Sequence, residues 1–226
     1  MDALSDNDLA LMKFGVGQPV PRKEDPTLLR GEGRYTDDIN LKGQAHAVMV
    51  RSKIAHGVLK GIDTRAARAM PGVLAILTYA DIAAAGFGPM KCGMNIPDRN
   101  GQPMKTPPRH SLAKDKVRYV GEAVACVVAE TAVQAKDAAE LIEVDYAARP
   151  HVVGTYEAAQ PGAPLVHDHI KSNIAFDWAM GDQKATEAAF AKAHKVVKLQ
   201  LVNQRLIVNS MEPRGAICEY DSKDDR

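Results

Sequence analysis

Val117-Arg118-Tyr119-Val120-Gly121-Glu122-Ala123-Val124-Ala125-Cys126-Val127-Val128-Ala129-Glu130-Thr131 is the stretch that decides the fold. It is an apolar, β-branched run broken once by Gly-Glu, so it reads as a central strand over Val117–Ala129 with a bulge or close backbone approach at the break. Thr131 with Gln134 three residues on makes a capping box. The helix it opens carries Val133, Ala138, Leu141 and Ile142 on one apolar face. Glu143-Val144-Asp145-Tyr146 then returns as an edge strand.

Upstream, the alternation through Ala45, Ala47, Met49 and Arg51 against His46, Val48, Val50 and Ser52 is largely apolar on both sets, which predicts a strand buried on both faces. Val58–Ile62 is a second strand, Asp63 caps a short helix through Ala69, and Val73–Thr78 is a third strand before a helix around Ala80–Ala85. Short strands and helices of this length in this order give an α+β fold with helices covering a sheet. Between Gly86 and Ala113 the chain is rich in Pro and Gly and has no periodicity, the pattern of a functional or partner-facing loop or of a surface excursion.

Arg149-Pro150 and Gln160-Pro161-Gly162-Ala163-Pro164 mark a linker. Beyond it the pattern predicts strands at 173–180, 196–208 and 215–220, with a helix opened by Asp182 whose packing side carries Ala185, Ala188, Ala189 and Ala193. The last strand runs into Asp221–Arg226, a polar turn signal with no return strand, which leaves an apolar edge to be covered. The expected organisation is an arm at 1–24, a first domain at 25–150, a linker at 151–172 and the truncated start of a second domain at 173–226.

Composition narrows the function classes. The 226 residues are 46% hydrophobic and 25% charged, ordinary for a globular protein. With 29 basic and 28 acidic residues the net charge is +1, and aromatics are only 5%, so nothing points to nucleic acid or an anionic membrane surface. No run approaches the ~20 apolar residues of a membrane span. The acidic start, Met1–Asp8, is unlike a secretory signal, and a cytoplasmic location is expected. Cys92, Cys126 and Cys218 are far apart and lack CxxC spacing, which argues against a disulfide framework or a metal cluster; Cys126 and Cys218 sit in apolar runs and read as core residues.

Few residues are arranged for chemistry. Arg30-Gly31-Glu32-Gly33-Arg34-Tyr35 lacks the strand and helix of a phosphate loop. His167-Asp168-His169 puts two imidazoles at i and i+2, a metal-like spacing, but it lacks further ligands nearby, and a solvated turn is the competing reading. There is no Gly-x-Ser-x-Gly elbow, and the paired carboxylates Glu24-Asp25, Asp37-Asp38 and Asp224-Asp225 are sequence neighbours that point apart. Glu212-Pro213-Arg214 flanks a rigid Pro at a strand entry, and could form an ion pair or orient a phosphate.

Three motifs in order carry a family resemblance: Arg51-Ser52-Lys53-Ile54-Ala55-His56, Gly121-Glu122-Ala123-Val124-Ala125, and Met211-Glu212-Pro213-Arg214-Gly215. Together they resemble the large subunit of the molybdenum hydroxylases, the xanthine dehydrogenase and aldehyde oxidase family, and most of all its aerobic carbon monoxide dehydrogenase branch. Lys53 and Ala123 stand where many members have Pro. The resemblance implies an α/β hammerhead domain followed by the beginning of a molybdopterin-binding domain. It implies a large subunit that hydroxylates its substrate with water-derived oxygen at a molybdenum held by molybdopterin cytosine dinucleotide. It further implies a small iron–sulfur subunit with [2Fe–2S] clusters and a medium FAD subunit, in a dimer of heterotrimers. Arg51, Ser52, His56, Gly121 and Glu122 then fall in interface or packing signatures. Glu212 and Arg214 fall beside the cofactor rather than on it. The cofactor loops and the catalytic Glu of the family lie beyond this chain, so no catalytic residue and no metal ligand is assigned here. The competing reading is a naturally short, non-catalytic module that docks onto the iron–sulfur and flavin subunits.

Overall fold

The computed structural model describes residues 21–203, 206–210, 212 and 214–224. Most of the expected arm at 1–24 lies outside these residues, as do Met211 and Pro213. The chain divides into two compact units, residues 43–199 and a smaller one made of the segments before 43 and after 199.

The larger unit holds two antiparallel three-stranded sheets. In the first, β5 (Ala123–Ala129) lies between β1 (His46–Arg51) and β3 (Val73–Thr78). Its β1–β5 register runs from His46 opposite Ala129 to Met49 opposite Cys126. In the second, β2 (Gly57–Asp63) lies between the two-residue β4 (Lys116–Val117) and β6 (Glu143–Ala148). As the sequence predicts, β5 is a central strand: Val124, Ala125, Val127 and Ala129 are fully buried. The expected continuous strand over Val117–Ala129, however, is two strands in different sheets. The chain turns between them at Gly121, whose φ of +90° is a left-handed conformation that glycine adopts without strain.

A short helix, α1 (Asp25–Leu29), belongs to the smaller unit, and in the larger unit α2 (Arg65–Arg68), α3 (Tyr79–Ala84) and α4 (Ala132–Glu140) follow β2, β3 and β5. The Thr131 hydroxyl accepts the Gln134 N–H at 3.2 Å and so caps α4. Ala135, Ala138 and Ile142, not Val133 and Leu141, face the core; Val133 is 67% exposed. Small alanines let the helix approach the first sheet closely, while Val133 and Leu141 are left outside. Strand β1 also departs from expectation, since its residues alternate half-buried and exposed and only one of its faces is covered. Asp63 accepts the Arg65 N–H at 3.0 Å from the end of β2, and the Arg65 guanidinium holds its carboxyl down at about 2.

Ala67, Ile76, Ala125, Val127, Ala138 and Ile142 form one core cluster, and Ala113, Val117 and Val124 a second. Val50, Ile62 and Val144 pack against both, so the two sheets share one interior. Cys126 is buried in it, and burial pushes its thiol up. Cys218, expected in a core, is exposed.

After β6 come α5 (Thr155–Ala158) and α6 (Gln183–Lys192), the latter capped by the Asp182 carboxylate on the Ala185 N–H at 2.9 Å. The strands expected at 173–180, 196–208 and 215–220 are absent among the described residues, and Ala185, Ala188, Ala189 and Ala193 are exposed rather than packed. Every described residue from Ile174 to Asp224 is exposed, including Leu206, Ile207 and Val208 at 84–89%. A strand exists by pairing, and these apolar segments meet no partner strand among the described residues. Between 86 and 113 the only ladder contact among the described residues is the bridge of Met90 with Arg109.

Candidate functional site

The residues of the first two motifs meet where β1 ends and β5 begins. The β1–β5 register shifts between Val50 and Arg51, so that Arg51 faces Ala123. Past the shift the Ser52 N–H donates to Glu122 O and the Gly121 N–H donates to Ser52 O, both at 2.8 Å. The Arg51 guanidinium Nη1 donates to Gly121 O at 2.9 Å. The turn before β5 is held from within, since Glu122 Oε2 accepts the Arg118 N–H at 2.5 Å. Ser52 is 3% exposed; its hydroxyl donates to Ile54 O at 2.8 Å and accepts the Ile54 N–H at 3.2 Å. Burial raises the Tyr146 hydroxyl, and the nearby Ser52 side chain partly offsets this.

His56 is 6% exposed at the start of β2. Its Nδ1 lies 3.2 Å from Pro150 O, a pure acceptor, so Nδ1 carries a proton, and Nε2 has no partner among the described residues. The His56 carbonyl accepts the Arg149 N–H at 2.9 Å. Gly57 follows because a Cβ there would sit 2.5 Å from Ile54 Cδ1 and 3.0 Å from Ala147 O. Arg51, Ser52, Gly121 and Glu122 are thus one hydrogen-bonded junction, and His56 belongs to the adjoining sheet. No nucleophile in this junction faces a base. Its chemistry is that of a clamp on the backbone.

In the smaller unit Glu212 accepts two hydrogen bonds at one carboxylate oxygen, from the Thr36 N–H at 3.0 Å and the Thr36 hydroxyl at 3.1 Å. The Ser210 hydroxyl donates to Glu212 O at 2.8 Å. Glu212 is therefore spent on the 3-10 turn at Thr36–Asp38, and the ion pair with Arg214 considered from the sequence is not formed.

The 167–169 turn contributes what sequence reasoning missed. The His167 and His169 rings meet edge to face at 5.9 Å, not around a common ligand position. Between them, the Asp168 carboxylate takes the Lys116 ammonium and the Arg149 guanidinium, the latter at 3.1 Å. Lys116 first and Arg149 second hold its carboxyl at about 2. The turn is clasped to the second sheet through β4 and the end of β6. Lys116 stands 52 residues before Asp168 and Arg149 stands 19 before it, so no local spacing in the sequence announces the clasp. His167 is pushed down from its ordinary value by desolvation, with the Arg118 charge adding to it.

Comparison with known proteins gives this geometry a context. The family model described as the α/β hammerhead domain of aldehyde oxidase and xanthine dehydrogenase matches residues 30–150, more than half of the chain. The chain belongs to the aldehyde oxidase and xanthine dehydrogenase family. A molybdopterin cofactor-binding domain model matches residues 166–226. The carbon monoxide dehydrogenase large chain of Afipia carboxidovorans is 35% identical over 219 residues, covering 92% of this chain and 26% of the relative. The nicotine 6-hydroxylase large subunit of Paenarthrobacter nicotinovorans is 37% identical over 213 residues, 93% of this chain and 25% of the relative. The crystal structure of a Cu,Mo-CO dehydrogenase in its carbon monoxide reduced state superposes with a TM-score of 0.59 at 36% identity, covering 79% of this chain and 23% of that one. The chain spans about a quarter of the length of the curated relatives it matches. The fold is accordingly a hammerhead α/β domain with the start of a molybdopterin-binding domain.

A buried molybdopterin needs an enclosed pocket with convergent polar groups. The described residues of the second segment do not supply one: from Ile174 to Asp224 all are exposed, and Glu212 is already engaged by Thr36. Among the described residues no group of three or more His, Cys, Asp or Glu side chains is placed to hold a metal ion. The described residues do not fit the cofactor by themselves.

Proposed function

We propose that this chain is the N-terminal portion of the large, molybdopterin-binding subunit of a molybdenum hydroxylase. Its hammerhead domain is a scaffold, and hydroxylation with water-derived oxygen takes place only in the complete complex. The observation that carries this reading is the ordered pair of family matches at 30–150 and 166–226, along a chain that aligns with a carbon monoxide dehydrogenase large chain over 92% of its length. The substrate class is that of the relatives: carbon monoxide, an aldehyde, or a nitrogen heterocycle such as nicotine or a purine. In the complete complex the large subunit holds molybdopterin cytosine dinucleotide. Electrons leave through two [2Fe–2S] clusters on a small subunit to FAD on a medium subunit. No described helix is long and apolar enough to cross a membrane, in keeping with a cytoplasmic assembly.

Co-expression tests the proposal. The chain, together with the remainder of a large subunit and with iron–sulfur and flavin subunits, is expected to co-purify as one complex that contains molybdenum and reduces an acceptor dye with one of these substrates. Failure to associate with either partner in any combination contradicts the proposal.

The exposed apolar residues Leu199, Leu201, Val202, Leu206, Ile207 and Val208 favour a second reading, a non-catalytic module that docks on the partner subunits. Under that reading the partners bind the chain without the rest of a large subunit, and the complex carries no molybdenum.

A further inference from the structure

Beside the clamp lies a cleft of about 270 Å³ between the 107–114 segment, the turn before β5 and the start of the 167–169 turn. Its charged and imidazole lining is Arg109, His110, Lys114, Arg118 and His167, against the single carboxylate of Glu122. That carboxylate is occupied, since Oε2 takes the Arg118 N–H. Of the acids nearby, Asp168 is taken by Lys116 and Arg149, and Asp115 lies against Arg118. Arg109 and Lys114 are left without a carboxylate partner among the described residues.

Arg118 is the fixed point. Its side chain is only 24% exposed, with Nη1 on Lys116 O at 3.1 Å and Nη2 at 3.6 Å from Asp115. Its Nε–H is buried and has no acceptor among the described residues. A buried donor on a permanently charged group is costly to leave unmatched. Lys114 rests its ammonium 5.6 Å over the Tyr79 ring and so meets a quadrupole rather than a carboxylate. Arg109 pairs with Met90 through its backbone alone, leaving its guanidinium without a carboxylate among the described residues. The cleft is large enough for a tetrahedral oxyanion with part of its hydration shell.

We propose that this cleft is an anion-binding site for a phosphate-class oxyanion, with Arg118 Nε–H as the buried donor and Arg109 and Lys114 closing the rim. The inference stands independently of the hydroxylase reading, because it rests on the cleft alone.

The test titrates the 226-residue chain with inorganic phosphate at constant ionic strength, following thermal stability and ³¹P line width, with sodium chloride as the control. The expected result is saturable stabilisation that chloride does not reproduce. Arg118→Gln should weaken binding about tenfold, equivalent to ~1.4 kcal/mol. Because Arg118 also holds the Lys116 carbonyl, this variant alone can mislead through lost stability. Lys114→Gln and Arg109→Gln, both at exposed positions, should each weaken binding severalfold while the unliganded melting temperature stays unchanged. A nucleoside monophosphate that binds more tightly than phosphate assigns the site to the phosphate group of a larger ligand, and equal binding assigns it to the free oxyanion. An effect matched by chloride, or an affinity unmoved by both rim variants, overturns the proposal.

Discussion

Glu122 offers the sharpest test of whether the Arg51, Ser52, Gly121 and Glu122 junction is a clamp within this domain or a surface kept for a partner. Its carboxylate accepts the Arg118 N–H at 2.5 Å and fixes the turn whose Gly121 sits at a φ of +90°. Its own carbonyl accepts the Ser52 N–H at 2.8 Å, so the side chain steadies the residue that extends the β1–β5 ladder. Glu122→Ala removes a charge-assisted hydrogen bond and leaves a half-buried N–H unmatched, a loss of about 1.5–3 kcal/mol. For a unit of 150–250 residues each kcal/mol moves the melting temperature by roughly 2–4 °C, so a drop of about 3–12 °C is expected. Glu122→Gln keeps an acceptor oxygen at the same reach and should recover more than half of the loss. The assay is urea and thermal unfolding of the isolated chain, read by circular dichroism. If Glu122→Ala stays within about 0.5 kcal/mol of wild type, as an ordinary surface change does, the clamp argument is refuted. If Gln is as damaging as Ala, the hydrogen bond is not what matters.

Three further outcomes follow from the same geometry. Ile76→Ala, at a residue 1% exposed in the larger cluster, should destabilise by about 2–5 kcal/mol in urea unfolding; a loss below about 1 kcal/mol would place the core elsewhere. His167 is held below its unfolded value, so below about pH 6.5 the unfolded chain binds more protons than the folded one and stability falls with acidification. His167→Gln should flatten that dependence, and an unchanged slope in pH-dependent unfolding would reject the assignment. Limited proteolysis should cut first within 86–113 or 150–165 and spare 117–129, and Asp168→Asn, which frees Lys116 and Arg149, should speed cleavage at 150–165; cleavage within 117–129 at early times would contradict the buried β5.

Local signals carried much of this fold. The β-branched run at Ala123–Ala129 had to be central because both of its faces are apolar, and Thr131 with Gln134 announced the start of α4 through a bond that is entirely local. What depended on partners was not legible. Splitting Val117 from Ala123 into different sheets follows from the turn at Gly121, where bulge and turn share one sequence signature. One-sided burial of β1 follows from what lies on its outer face, which alternation of Ala, Val and Met does not encode. The apolar stretch 196–208 has strand propensity, but a ladder needs a second strand, and none is supplied among the described residues. At the candidate site, the motifs pointed to Arg51, Ser52, Gly121 and Glu122, and the structure brings these four together. The acceptor role of Glu212 toward Thr36 and the clasp at Asp168 join residues far apart in sequence, and no spacing rule announces such pairs.

Native mass spectrometry with molybdenum quantification, on the protein purified from its own source and again on the chain expressed alone, tests the central claim most directly. The natively purified protein is expected to travel with iron–sulfur and flavin polypeptides and molybdenum, while the chain alone binds none and shows no dehydrogenase activity. A solitary chain that carries one molybdenum per molecule would contradict that claim.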